Sequence, residues 1–225
     1  MEDPRTVTIT VADVPLWECS PGTQIARLFR RFNETGGVRS PWFFSHVAPA
    51  SGRFDLPAPH GTCYFASSPV GAWLEVFGGV RLVAAGDVRR RQVATATRTG
   101  GPLSFVDLSA PGAAAAGVTL DVQSGSKYAQ AQEVAAEAAG LGAAGMRALA
   151  RHDPSGVERT IAVFGRAGAP SRQFGWKVAR RPAWGDVGLL AALAERGIHV
   201  RDIPYDLPVT PPPTPAAPAH PANGE

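Results

Sequence analysis

Only two cysteines, Cys19 and Cys63, occur in the 225 residues of this chain, far apart and without partners at metal-ligand spacing. That scarcity excludes a disulfide-built framework and a cysteine zinc site, and predicts two reduced thiols in a reducing compartment. Long apolar runs are also missing. The most apolar stretch, Val70 to Gly86, is interrupted by Glu75 and Arg81 and cannot span a bilayer. The N-terminus, MEDPRTVTITV, begins acidic and has no basic segment before an apolar core, so it does not read as a signal peptide. A cytoplasmic chain without a membrane partner is expected.

Several catalytic signatures are absent as well. There is no G-x-S-x-G elbow, no G-x-x-x-x-G-K phosphate loop, no H-E-x-x-H and no paired C-x-x-C. Five histidines are scattered. His152 reads as a loop residue, and His46 and His60 lack a third ligand, so no metal is expected. Gly140-Leu-Gly-Ala-Ala-Gly145 matches G-x-G-x-x-G in letters, but a dinucleotide fingerprint follows a strand and opens a helix. Here the order is reversed, and the segment reads as a helix–strand turn. Basic charge does not cluster either. Net charge is +3, and the one tight run, Arg89-Arg90-Arg91, has no interleaved aromatics, which argues against direct nucleic-acid binding.

Hydrophobic residues make up 44% of the chain, enough for a sizeable core and too much for disorder throughout. We expect one domain over residues 1–205. The last twenty residues, from Asp206, hold seven prolines and read as an extended tail outside the fold. Within the domain, Pro21 to Arg31 reads as a short helix with Ile25 and Leu28 on one face. Thr62–Ala66 reads as a strand, and a helix follows from the Ser67-Ser68-Pro69 cap to Phe77, stopped by Gly78-Gly79. Strands are expected at Arg81–Ala85, Arg91–Thr97, Leu103–Asp107, Gly145–Ala150, Thr160–Phe164, Phe174–Ala179 and His199–Ile203. Helices are expected at Lys127–Ala139, with Gly140 as its C′ residue, and at Asp186–Arg196. Many strands unevenly interleaved with few helices predict an α+β fold.

One segment carries the candidate chemistry. Arg53, Tyr64 and Glu75 fall at equal spacings of eleven. They occupy a Gly/Pro-rich loop, the strand after it and the helix after that. Glu75 stands on a helix nearly devoid of charge, with no basic residue at i±3 or i±4. The residues alone leave two readings open for each side chain. Glu75 is either a site carboxylate or a solvent-facing one. Arg53 either binds an anion or stacks on Phe54, and Tyr64 either lines a site or is a core tyrosine with a backbone partner.

The blocks G-R-F-D, G-T-C-Y-F-A and A-x-L-E, with Tyr128 to Gly145 and Val163-Phe164-Gly165 further on, resemble the RES domain family over roughly residues 25 to 165. The resemblance implies an ADP-ribosyltransferase-like mixed or antiparallel sheet. It also implies cleavage of the nicotinamide–ribose bond of NAD, which enters as substrate with no resident cofactor. The acceptor would be water, phosphate or a macromolecule. It implies a toxin role beside an Xre-like helix-turn-helix antitoxin, and leaves an oligomer open. In that frame Glu75 stabilises the ribosyl cation, Arg53 holds the pyrophosphate, Tyr64 stacks on nicotinamide or ribose, and Arg151 is a phosphate ligand unless it pairs with Asp153.

The chain departs from the family at one place. The position of the family's serine is Ala150, so the hydroxyl expected to bond substrate or Glu75 is absent; Ser155 is the nearest substitute. The alternative to an enzyme is therefore a descendant that binds NAD or a protein partner without turnover.

Overall fold

The computed structural model describes residues 8–48, 52–126, 128–170 and 173–202. The Pro-rich tail expected from 206 onward lies outside them, as do Lys127 and Ile203 at the ends of two expected elements. The described residues form an α+β fold around an eight-stranded, mixed and mostly antiparallel sheet. In spatial order its strands are β1 (Leu16–Cys19), β6 (Leu103–Asp107), β7 (Gly145–Leu149), β8 (Arg159–Arg166), β3 (His60–Ala66), β2 (Gln24–Arg30), β5 (Arg91–Arg98) and β9 (Trp176–Pro182). β6 and β7 run parallel, and β4 (Leu82–Ala84) pairs in parallel with β10 (His199–Arg201) in a separate ribbon.

The helix expected over Pro21–Arg31 is a strand, β2. Its three-residue apolar spacing suggested a helix because both faces of β2 are covered. Ile25 packs in one core, while Ala26 and Leu28 pack in another. A strand buried on both sides loses the alternation that would reveal it. The sequence also conceals β1 and the short helices α2 (Ala85–Arg89) and α3 (Leu120–Ser124).

The strand–helix unit that carries Tyr64 and Glu75 follows its local chemistry. Helix α1 spans Pro69–Phe77; the Ser68 hydroxyl accepts from the Gly71 amide, proline occupies the first turn, and Gly78 closes the helix at φ 62°. Val70, Trp73 and Leu74 are buried, with Phe77 packed beside them. Helix α4 spans Ala129–Gly140, so Gly140 ends the helix rather than following it, and the left-handed residue is Gly142 at φ 85°. The chain from Gly140 to β7 is the helix–strand turn expected of it. Helix α5 spans Val187–Glu195, capped by the Asp186 carboxylate on the Leu189 amide.

One face of the sheet carries an aromatic core built on Trp42, Phe44, Phe65, Phe105 and Trp176. The opposite face carries two cores side by side. One joins Phe54, Val106, Met146 and Ala162 to α4; the other joins Ala26, Leu28, Ala66 and Val93 to α1 and α5. The sheet itself is parted between them. β2 pairs with β5 over seven registered positions and β3 with β8 over seven, but β2 meets β3 only at Ala26 and Ala66.

Candidate active site

A cavity of about 320 Å³ opens where β2 and β3 part, and its walls come from both cores: Ala26, Leu28 and Ala72 on one side, Phe54 and Tyr64 on the other. Arg53, Tyr64, Glu75 and Arg151 all line it, so the four residues singled out from the sequence meet at one place. Tyr128, His152 and Thr160 line it too.

Arg53 is buried. Its guanidinium donates to the carbonyl of Gln123, in the last turn of α3. It lies 5.6 Å from the centroid of the Phe54 ring and 6.0 Å from that of Tyr128, within cation–π reach of both. The stacking foreseen as the alternative to anion binding therefore accompanies a cavity position. Its Nε is buried without a hydrogen-bond partner. Burial lowers the Arg53 pKa from its ordinary value, and the negative field of Glu75 works in the opposite direction. An unmatched N–H on a buried cation costs free energy.

Tyr64 stands on β3, and its hydroxyl accepts from the Phe54 amide at 2.8 Å. Burial pushes the phenol well above its ordinary pKa, and the nearby Asp55 carboxylate adds to the rise. Tyr64 is therefore a neutral wall and a strut for the Arg53 loop, and is no base near pH 7. Asp55, fully buried, accepts from the Gly52 amide at 2.7 Å and from the Ser45 hydroxyl at 3.2 Å. The Gln132 side chain of α4 donates to the Gly52 carbonyl at 3.0 Å. Glycine is required at 52 by proximity, since a Cβ there would meet the Tyr64 hydroxyl at 2.6 Å.

Glu75 is half-buried on α1. Its Oε1 accepts from the Thr160 hydroxyl at 2.7 Å and from the Arg151 amide at 3.1 Å. It is thus anchored by the sheet and the following loop, and the solvent-facing alternative does not hold. Arg151 makes no ion pair with Asp153 among the described residues. Its guanidinium reaches the Tyr128 hydroxyl at 3.3 Å, while Asp153 accepts from the amides of Ser155, Val157 and Glu158. Ser155 does not replace the missing hydroxyl of Ala150 either, because its own hydroxyl bonds Asp153 at 2.6 Å.

Two residues that set the site are not signalled by the sequence. Thr160 occupies the second position of β8, where it pairs with Ala66 on β3 and Ala148 on β7, a placement known only once the ladder is known. The Glu158 carboxylate is buried and accepts from the hydroxyls of Ser67 and Ser68, which fixes the start of α1. Its signal is a carboxylate just before an apolar strand, too common to stand out. Among the described residues no group of three or more His, Cys, Asp or Glu is placed to hold a metal ion, and no helix is long and apolar enough to cross a membrane. Cys19 and Cys63 are free and buried, and burial raises both thiol pKa values.

Known proteins can be set beside this geometry. The solved M. tuberculosis structure described as the MbcT–MbcA toxin–antitoxin complex superposes with a TM-score of 0.49 at 16% identity, over 79% of this chain and 90% of that one. No curated protein matches. The family model described as the RES domain matches residues 25–181, which takes in Arg53, Tyr64, Glu75, Arg151 and Thr160. The chain belongs to the RES domain family.

Proposed function

We propose that this protein cleaves the nicotinamide–ribose bond of NAD. The observation that carries the reading is the pairing, in one cavity, of a buried guanidinium with an unmatched N–H and a carboxylate held by two donors. In this reading Arg53, which lines the cavity, holds the pyrophosphate by charge-assisted bonds. The C1–N bond of the nicotinamide ribose breaks, and its electron pair leaves with nicotinamide. Glu75 stabilises the oxocarbenium-like ribosyl cation. The acceptor oxygen then bonds C1, and its proton passes to Glu75 and on to solvent. With water the products are nicotinamide, ADP-ribose and a proton; with phosphate, the phosphorylated sugar. Tyr64 forms the wall against which the leaving ring stacks, and Arg151 serves as a second phosphate ligand.

The test is nicotinamide release from NAD by purified protein beside Glu75→Gln. The expected loss is about 10²–10³-fold, as for removal of a group aimed at developing charge. Release that is unchanged in Glu75→Gln overturns the mechanism. NAD binding without any release would leave the non-catalytic alternative, and label transferred to a macromolecule would identify an ADP-ribosyltransferase.

We propose further that the protein is the toxin of a toxin–antitoxin pair with an Xre-like helix-turn-helix partner. Membership of the RES domain family supports this. Co-expression with the neighbouring gene product should relieve growth arrest and yield a stable complex; neither effect would be seen if the reading is wrong.

A further inference from the structure

Glu75 rides on a helix, at the end of a side chain with three rotatable bonds, so some other group must fix the direction of its carboxylate. Two donors do so, and both address Oε1: the Thr160 hydroxyl at 2.7 Å and the Arg151 amide at 3.1 Å. No hydrogen bond to Oε2 occurs among the described residues. The backbone donor sits in a turn, whereas Thr160 sits in a strand laddered on both sides. Thr160 is 3% exposed, and its β-branched side chain restricts χ1 and hence the aim of the hydroxyl. Its ladder neighbours on the cavity face, Ala66 and Ala148, are small and let α1 approach the sheet closely enough for the bond to form. The one hydroxyl on the carboxylate thus comes from β8, while Ala150 at the end of β7 offers none.

We propose that Thr160 is the positioning residue for Glu75, supplying from β8 the hydroxyl that Ala150 cannot supply from β7. Thr160 orients Glu75 Oε1 so that Oε2 is presented to the anomeric carbon, and does not itself touch substrate. This rests on the reading of the site as an NAD-cleaving one. It accounts for how the chain tolerates alanine at 150, with the hydroxyl moved by one strand and its acceptor retained.

The experiment measures kcat and KM for nicotinamide release from NAD by the full-length protein, with Glu75→Gln, Thr160→Val, Thr160→Ala and Thr160→Ser in parallel. Valine preserves the branched shape and removes the donor. We expect Thr160→Val to lose about tenfold to hundredfold in kcat, the range for a hydrogen bond to a charged group, with KM little changed. Serine should restore most of the loss, and Thr160→Ala serves if the valine variant does not fold. Wild-type kcat in Thr160→Val and Thr160→Ala, beside a dead Glu75→Gln, overturns the proposal and leaves the NAD reading standing. Equal loss in Thr160→Ser and Thr160→Val also overturns it, since packing rather than the hydroxyl would then be responsible. If the wild-type protein shows no Glu75-dependent release, the reading of the site fails and this inference with it.

Discussion

At the scale of single residues, the site depends on a few polar atoms whose neighbours leave them little freedom. On the proposed reading Arg53→Ala should weaken NAD binding and turnover together, because it removes the proposed pyrophosphate donor and empties the space between Phe54 and Tyr128. Arg53→Lys should recover little, since a point charge cannot reproduce the fork; KM and kcat for nicotinamide release check both variants. Tyr64→Phe should raise KM by about tenfold while sparing kcat, as the Phe54 amide loses its acceptor and the Arg53 loop loosens. Ala150→Ser should alter turnover by less than about threefold, the Glu75 carboxylate already having a hydroxyl donor in Thr160. A large gain in that variant would show the protein to be a decayed enzyme.

At the scale of elements, the loop from Ala150 to Glu158 and helix α1 act together on Glu75. Asp153 knots the loop. Burial opposes its charged form, but hydrogen bonds from Ser155, Glu158 and Val157 outweigh that and hold its pKa below the ordinary value. The sign follows directly. A carboxyl depressed in the folded state contributes stability above its unfolded pKa of about 4, and that contribution is lost as pH falls through the folded value. Asp153→Asn should therefore lower the thermal midpoint at pH 7 and differ progressively less from wild type below about pH 4 in the same melting series. Ser68→Ala should cost about 1 kcal/mol through the α1 cap, read by denaturant titration, and should also reduce turnover because Glu75 moves with the helix. Much of this level is legible in sequence where signals are local. The Ser68 cap, Pro69 and Gly78 delimit α1 to the residue, whereas Arg53, Tyr64 and Glu75 are singled out by the family resemblance, their spacing alone leaving plain structural readings open. Thr160 and Glu158 are not legible, because what matters about them is which strand or helix lies opposite. β2 is misread for a related reason, its burial being decided by two cores that the segment itself does not contain.

At the scale of the whole molecule, the cavity lies over the seam between two cores, and packing on either side bears on it. Trp73 is fully buried in the core under α1, its ring 4.6 Å from that of Phe77. Trp73→Ala should cost about 3–5 kcal/mol of stability by denaturant titration, and turnover should fall more than the folded fraction does. The parted sheet has a mechanical meaning as well. Three strands (β2, β5 and β9) form one leaf and five form another, joined in the sheet at the Ala26–Ala66 pair and clasped by α1, which touches both. A dinucleotide lodged between the leaves would act as a rivet. Amide hydrogen exchange along β2 and β3 should slow when it binds, while the outer ladders, already closed, keep the rates they had.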